Sequence, residues 1–503
     1  MVERTTSLGL GFCLALTACN SGGGGGDTDS ASTTTQPSTL SPTESPPTGE
    51  STVGGTTPDE PTGGSMSDVT ETNTTPPTST TLPPPTTGDD TTTTGDPSCD
   101  GLECQVDDCS GAPNTTTLRG TVFAPEGTLP LYNVTVYVPN APLAPITEGV
   151  TCNLCNDGLP GDPIVATLTD TNGQFVLEGV PAGADIPLVI TVGKWRRELT
   201  IPAVTACTAN DVEPTLTRLP RNQSEGHIPR IALTTGSSDP FECLLRKLGI
   251  DDSEFTLPDA AGRVNLFVGA NGTDRYNDAN NGGADFPQAV DLWNDLERLK
   301  LYDILLMGCE GGYHLEDKSD QARANVAAFA DIGGRLFLEH WHEAWIINGP
   351  GMWPNTATFS DEPDLPSPVT ALINTGFPKG QALSEWMVNV GGSMQAPEME
   401  IVQGQHTIDA VNTDLATRWV YTEDPETTVQ YFTFNAPVGA PDDQQCGRVV
   451  DSDIHVSSGD QVNVPFPDGC TTTELTPQEK ALIFMFFELS SCLIPDDMDP
   501  IPG

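Results

Sequence analysis

Between residues 118 and 201 apolar side chains recur at alternate positions in short runs broken by glycine, proline and asparagine. Beyond residue 264 they gather into unbroken runs separated by stretches of helical period. The first pattern predicts half-buried strands at 118–123, 133–138, 164–169, 175–177, 188–192 and 197–201, an all-β unit. The second predicts a buried strand at 264–268, a helix over 288–299 and a strand at 304–307. A helix over 320–332, stopped by Gly333-Gly334, and a strand at 336–338 follow. Strand, helix, strand with short links implies a mostly parallel, doubly wound α/β sheet. Farther on, 429–434 and 448–450 read as late strands and 477–490 as a closing amphipathic helix; 242–248 is helix-like within a connecting stretch.

The front of the chain carries neither pattern. From residue 20 to 98 almost every position is Thr, Pro, Ser, Gly, Asp or Glu, including Gly22-Gly23-Gly24-Gly25-Gly26 and Pro83-Pro84-Pro85. Such a segment buries too little to offset its ordering entropy, and its one-signed charge repels itself, so a disordered tether is expected. Ahead of it, behind Arg4, the apolar run 8–16 is too short to span a bilayer and is followed by no stop-transfer pattern. It ends in Leu16-Thr17-Ala18-Cys19, which resembles the lipobox of bacterial lipoproteins. That resemblance implies cleavage before Cys19, lipid on Cys19 and the membrane as a partner, since two or more acyl chains hold where one binds marginally. The expected location is the cell envelope; Asn20 favours the outer membrane, facing periplasm or cell surface. Five segments follow: a signal at 1–18, a tether at 19–98, a cysteine-containing β-sandwich at 99–232, a connector at 233–261, and an α/β domain at 262–497. With its Thr/Pro tether the chain also looks like surface lipoproteins of myxobacteria.

Charge narrows the partners. With 70 acidic against 21 basic residues and a net charge of −49, nucleic acid is excluded as a partner by like-charge repulsion. The acidic stretch Asp278-Ala279-Asn280-Asn281-Gly282 lacks the terminal bidentate Glu of a calcium loop and reads as a turn. Of 13 cysteines, Cys13 leaves with the signal and Cys19 is modified, so an odd eleven remain. Outside the cytoplasm these pair and one thiol is left over. Cys152-x-x-Cys155 has zinc-ligand spacing, but export favours disulfides, with pairing open.

Two further resemblances bear on fold. The run Thr169-Asp170-Thr171-Asn172-Gly173-Gln174-Phe175, then Gly179-Val180-Pro181-Ala182-Gly183, resembles the carboxypeptidase regulatory-like domain, a transthyretin-like sandwich. It implies an accessory unit, with weak carbohydrate binding as one role. Gly311-Gly312, Gly333-Gly334, Leu338-Glu339-His340 and Gly447-Arg448-Val449 through His455 come in the order found in class I glutamine amidotransferase-like proteins, and more closely in their ThuA-like branch. This implies a flavodoxin-like α/β fold over roughly 263–493. The amidotransferases keep a nucleophilic Cys in a Gly-x-Cys-x-Gly elbow and a late His-x-Glu. Here His340-Trp341 occupies the elbow and Val456-Ser457 follows His455, so glutamine hydrolysis is not expected.

Ligands of such sheets bind beyond the carboxyl ends of the strands, where several chemical groups fall. Catalytic candidates are His340 and His455, with Glu310 or Asp453 for proton transfer and Cys309 as a thiol nucleophile if a histidine reaches it; a buried or disulfide-bonded Cys309 is the plainer alternative. No cofactor is firmly implied. A divalent metal at His340, His342 and His455 suits imidazole chemistry, with His340 and His342 sharing one face of an extended strand. Trp341, Trp345 and Trp353 are candidates for a sugar platform or, equally, core anchors. The expected function is a non-catalytic envelope lipoprotein that binds an extracellular ligand, carbohydrate among them, or an envelope component. The alternative is a ThuA-like hydrolase or sugar-processing enzyme using His340 and His455.

Overall fold

The computed structural model describes residue 99 and residues 101–111, 115–456 and 459–503. The signal, Cys19 and the tether lie outside the described residues. The chain divides into Met1–Thr91 and Thr92–Gly503, and the described residues all belong to the second unit.

The alternating segment forms two small sheets. Its strands are β1 (Thr117–Thr121), β2 (Thr135–Pro139), β3 (Pro163–Leu168), β4 (Gln174–Glu178), β5 (Gly183–Val192), β6 (Trp195–Val204) and β7 (Ala209–Asp211). They pair as β4-β1-β7 and β3-β2-β5-β6. In β4 the alternation is literal, Phe175 and Leu177 buried and their neighbours exposed. The turn before it is held by Asp170, whose Oδ1 accepts from the amides of Asn172 and Gln174 at 2.8 Å each, with Gly173 at φ +72°.

The second pattern becomes part of a ten-stranded mixed sheet. Its first half is parallel: β8 (Ile231–Thr235), β9 (Phe255–Thr256), β10 (Val264–Val268), β11 (Ile304–Met307) and β12 (Arg335–Glu339). Next in the chain come β13 (Ala357–Phe359), β14 (Val369–Ile373), β15 (Glu398–Ile401), β16 (Ile408–Val411), β17 (Ala416–Thr422), β18 (Thr428–Ala436) and β19 (Gly447–Ser452). The large sheet runs β15-β14-β17-β18-β19-β12-β11-β8-β10-β9, parallel from β19 to β9 and antiparallel from β15 to β19; β13 and β16 pair apart. The sheet is thus mixed rather than mostly parallel. Strand β8, inside the stretch read as the end of the β-sandwich and the start of a connector, is central: all five residues are buried. A parallel strand covered on both faces shows no alternation to read.

Helices α1 (Phe241–Lys247), α2 (Ala289–Trp293), α3 (Leu296–Leu299), α4 (Asp320–Asp331), α5 (Ala344–Ile347), α6 (Pro378–Asn389) and α7 (Pro477–Ser490) cover the sheet. The single helix expected over 288–299 breaks at Asn294-Asp295, where Asp295 caps α3 by accepting from the Arg298 amide. The closing helix is not amphipathic in use. Phe486 and Phe487 meet Trp195 of β6 at 6.3 and 5.9 Å, Phe484 stacks on Tyr132 at 5.7 Å, and Phe486 also belongs to the core shared with Phe337 of β12. A helix packed on both sides is apolar nearly all round.

Five disulfides fasten this unit: Cys99–Cys104, Cys109–Cys207, Cys152–Cys446, Cys155–Cys492 and Cys243–Cys470. The Cys152 and Cys155 thiols therefore tie the β2–β3 loop to the α/β part instead of sharing a metal. Among the described residues the unpaired thiol is Cys309, which is buried.

Candidate functional site

Strands β19, β12, β11 and β8 are neighbours in the sheet, so the residues after their carboxyl ends meet at one edge. After β8 the chain reaches Asp239; after β11, Cys309; β12 ends at Glu339 and passes into His340; after β19 come Asp453 and His455. Gly236 lets the first two loops touch, because a Cβ there would lie 2.1 Å from the Cys309 carbonyl oxygen.

His340 occupies the turn from strand to helix with φ +48°, a left-handed conformation that costs a non-glycine residue energy and persists where the surroundings fix it. The extended-strand reading fails here. His340–Glu343 is a 3-10 turn, so His340 and His342 point to different places. His340 Nδ1 lies 3.6 Å from Cys309 Sγ, and its ring lies 5.0 Å from that of His455. His342 instead accepts from Trp345 Nε1–H through Nδ1 at 3.0 Å, which leaves Nε2–H to donate to the Gly308 carbonyl at 3.0 Å. Both of its nitrogens are used. Burial also lowers it to about 4, so it stays neutral and structural.

His455 is gripped from behind. Its Nδ1 lies 2.5 Å from Asp239 Oδ2 and 2.9 Å from Glu339 Oε1. Asp239 Oδ1 accepts from the Val456 amide at 2.6 Å and Glu339 Oε2 from the Cys309 amide at 2.6 Å. Two carboxyls distant in sequence, Asp239 in the loop after β8 and Glu339 at the end of β12, therefore orient His455. Burial opposes charge on His455, but the two carboxyls outweigh it and hold the imidazole well above its ordinary value. Burial likewise opposes charge on Asp239, yet His455 draws it below the usual carboxylate range. Glu339 is pushed well above that range by burial and by Asp239, as expected when two buried carboxyls share one cation. His340 goes the other way: burial and the His455 charge keep it neutral. Burial and the Glu339 carboxyl push the Cys309 thiol up, so it remains protonated.

Three of the predicted site residues, Cys309, His340 and His455, are thus brought together, and besides His342 three others leave the group. Glu310 is sealed against Lys318 Nζ at 2.5 Å and accepts from the Ala270 amide at 2.9 Å; Lys318 in turn lies over the rings of Trp293 and Trp345 at 5.3 and 5.7 Å. Trp345 and Trp353 are core residues, 1% and 4% exposed, against Trp293 and Phe434 respectively, and present no platform. Only Trp341 is half-buried, its ring 4.7 Å from Tyr313 and 4.5 Å from His340.

A second set of carboxyls lies beside the first. Tyr313 donates to Glu343 Oε1 at 2.7 Å; the Thr407 hydroxyl sits 2.7 Å from Glu343 Oε2 and 2.9 Å from Asp453 Oδ1, and its amide donates to Asp453 Oδ2 at 2.9 Å. A hydroxyl with one hydrogen donates to one carboxylate only, so the other must itself be protonated. Burial and the Asp453 charge raise Glu343 to about 8, and burial raises Asp453 to about 6. Glu343 is accordingly the protonated one. Asp239, Glu339, Tyr313 and Thr407 were not picked out as site residues by pattern. The readable signal was Thr235-Gly236 leading into Asp239-Pro240 before a helix, the mark of a strand-to-helix turn.

No family model matches the sequence, and no curated protein matches it significantly. Among solved structures, a ThuA-like protein from Bacteroides uniformis is similar over 51% of this chain and 89% of its own, at 10% identity and a TM-score of 0.26. A chain of a type II cohesin-X-dockerin complex from Acetivibrio cellulolyticus is similar over 28% of this chain and 75% of its own, at 17% identity and a TM-score of 0.14. Likeness at this level assigns no chemistry to the residues above.

Proposed function

We propose that the chain is a cell-envelope lipoprotein, anchored through lipid on Cys19 and extended on its Thr/Pro-rich segment, whose folded unit binds an extracellular ligand or envelope component without thiol chemistry. The observation that carries this reading is the state of the two positions where a nucleophile would stand. The elbow holds His340, and the nearby Cys309 is fully buried with its thiol held protonated. A thiol in that condition does not attack a substrate. What the edge offers a ligand is the half-buried pair Trp341 and Tyr313 beside the histidines, an aromatic surface of the kind that sugars use. A screen of glycans and peptidoglycan fragments against residues 92–503 tests it. Binding that Trp341→Ala weakens at least tenfold supports the reading; equal binding by the variant, or none by the parent, removes it.

One observation favours a second reading, a hydrolase or sugar-processing enzyme of ThuA-like type. Two histidines 5.0 Å apart are driven to opposite states, His340 neutral and His455 charged, which is how paired groups become base and acid. Turnover of a glycoside or ester panel, lost in both His340→Asn and His455→Gln, would support this reading over the first.

A further inference from the structure

Cys309 Sγ and a ring nitrogen from each of His340 and His455 all lie within 4.8 Å of one another. Sγ lies 3.6 Å from His340 Nδ1. A tetrahedral zinc with a Zn–S bond of about 2.3 Å and a Zn–N bond of about 2.0–2.1 Å spaces those ligands by roughly 3.5–3.6 Å. His455 spends Nδ1 on Asp239 and Glu339, which makes Nε2 the nitrogen a metal would take. A carboxylate behind a histidine, fixing its tautomer and ring plane, is the usual support of a metal ligand. The three residues follow the adjacent parallel strands β11, β12 and β19, so the frame is rigid. His340 holds its left-handed backbone at the point that brings its ring to the sulfur.

We propose that Cys309, His340 and His455 bind one divalent ion of the zinc class, with a fourth position left for water or a ligand oxygen. This goes beyond the binding reading above and stands whether or not the unit takes a glycan. One thiolate and two imidazoles select zinc or cobalt over magnesium and calcium, which want oxygen. Loading replaces the Cys309 S–H bond with a sulfur–metal bond and the His455 Nε2–H bond with a nitrogen–metal bond, and releases two protons to solvent. The site differs from the one expected by sequence: Cys309 takes the place of His342. The neighbouring group Asp239, Glu339 and His455 is a poorer candidate, because Nδ1 and Oδ2 at 2.5 Å leave no room for an ion between them. The third group, His314, Glu316 and Asp317, follows one partly exposed turn, and His314 Nε2 there already lies 3.3 Å from the Glu310 carbonyl.

The test uses the full-length chain purified from a bacterial envelope in detergent without chelator. Elemental analysis after zinc dialysis is expected to give about one equivalent, and cobalt loading is expected to give a near-ultraviolet thiolate-to-metal band. Cys309→Ser and His340→Asn, the latter chosen because Asn tolerates positive φ, each lose the equivalent and the band while keeping the wild-type melting temperature in EDTA. Asp239→Asn, which touches no metal, weakens affinity by about 10- to 100-fold. Less than a tenth of an equivalent in the wild type overturns the proposal, as does cobalt bound with no thiolate band.

Discussion

Replacing Glu343 by Gln tests the protonation state of the buried carboxyl set, because Gln copies the protonated acid. Its Oε1 accepts from Tyr313 and its Nε2–H donates to Thr407, as the neutral carboxyl does. The side chain is fully buried and its titration is pushed from an ordinary 4.5 to about 8. The sign follows from linkage. As pH rises above 4.5 the unfolded chain releases this proton while the folded chain keeps it, so stability falls until the folded group ionises near pH 8. The slope is about 1.4 kcal/mol per pH unit, so wild type should lose about 2 to 3 kcal/mol between pH 5.5 and 7.5 through this group alone. Glu343→Gln does not. Asp453 titrates in the same window, near 6. The variant-minus-wild-type difference, rather than either profile, therefore isolates Glu343. Urea unfolding followed by tryptophan fluorescence at the two pH values should show Glu343→Gln gaining about 2 to 3 kcal/mol on wild type. In melting temperature that is roughly 3 °C, for about 400 folded residues at ~2.1 cal/mol/K each. A difference that does not change with pH would mean that Glu343 is already ionised, and the hydrogen-bond argument at Thr407 would be wrong.

Other consequences are as direct. Trp195→Ala empties the contact between β6 and α7 and should cost about 3–5 kcal/mol, with the β part and the α/β part still melting together; two separate calorimetric transitions would contradict the shared core. Glu488→Gln removes the carboxylate that Lys379 meets at 2.5 Å and Arg448 at 2.8 Å inside the fold, so a loss of about 3–5 kcal/mol in urea is expected, partly recovered by adding Lys379→Met. In residues 92–503 a thiol reagent should find nothing in native protein and one equivalent in denaturant, since Cys309 is buried and every other described cysteine is paired. Rapid native labelling would show an open site.

Much of this molecule is legible in its sequence. Alternation placed β4 to the residue pair that is buried, helical period placed α4, and the odd count of cysteines beyond residue 19 leaves one thiol over once the rest pair. These are local or arithmetical properties, written in the order of residues along the chain. The strand at Ile231–Thr235 escaped because a strand buried on both faces has no polar phase. The antiparallel half of the sheet escaped because its position depends on what it pairs with. Whether a polar residue belongs to a site was likewise not a local matter. Glu310 and Cys309 are consecutive, yet one is sealed by Lys318 and the other faces His340. Asp239 and His455 are 216 positions apart and share a proton, because strand order β19-β12-β11-β8 sets four distant loops side by side. Periodicity and composition thus determined which segments could fold and which chemical groups were available. Only the closing of the sheet decided which of those groups meet, since that choice is made by contacts between residues far apart in the chain.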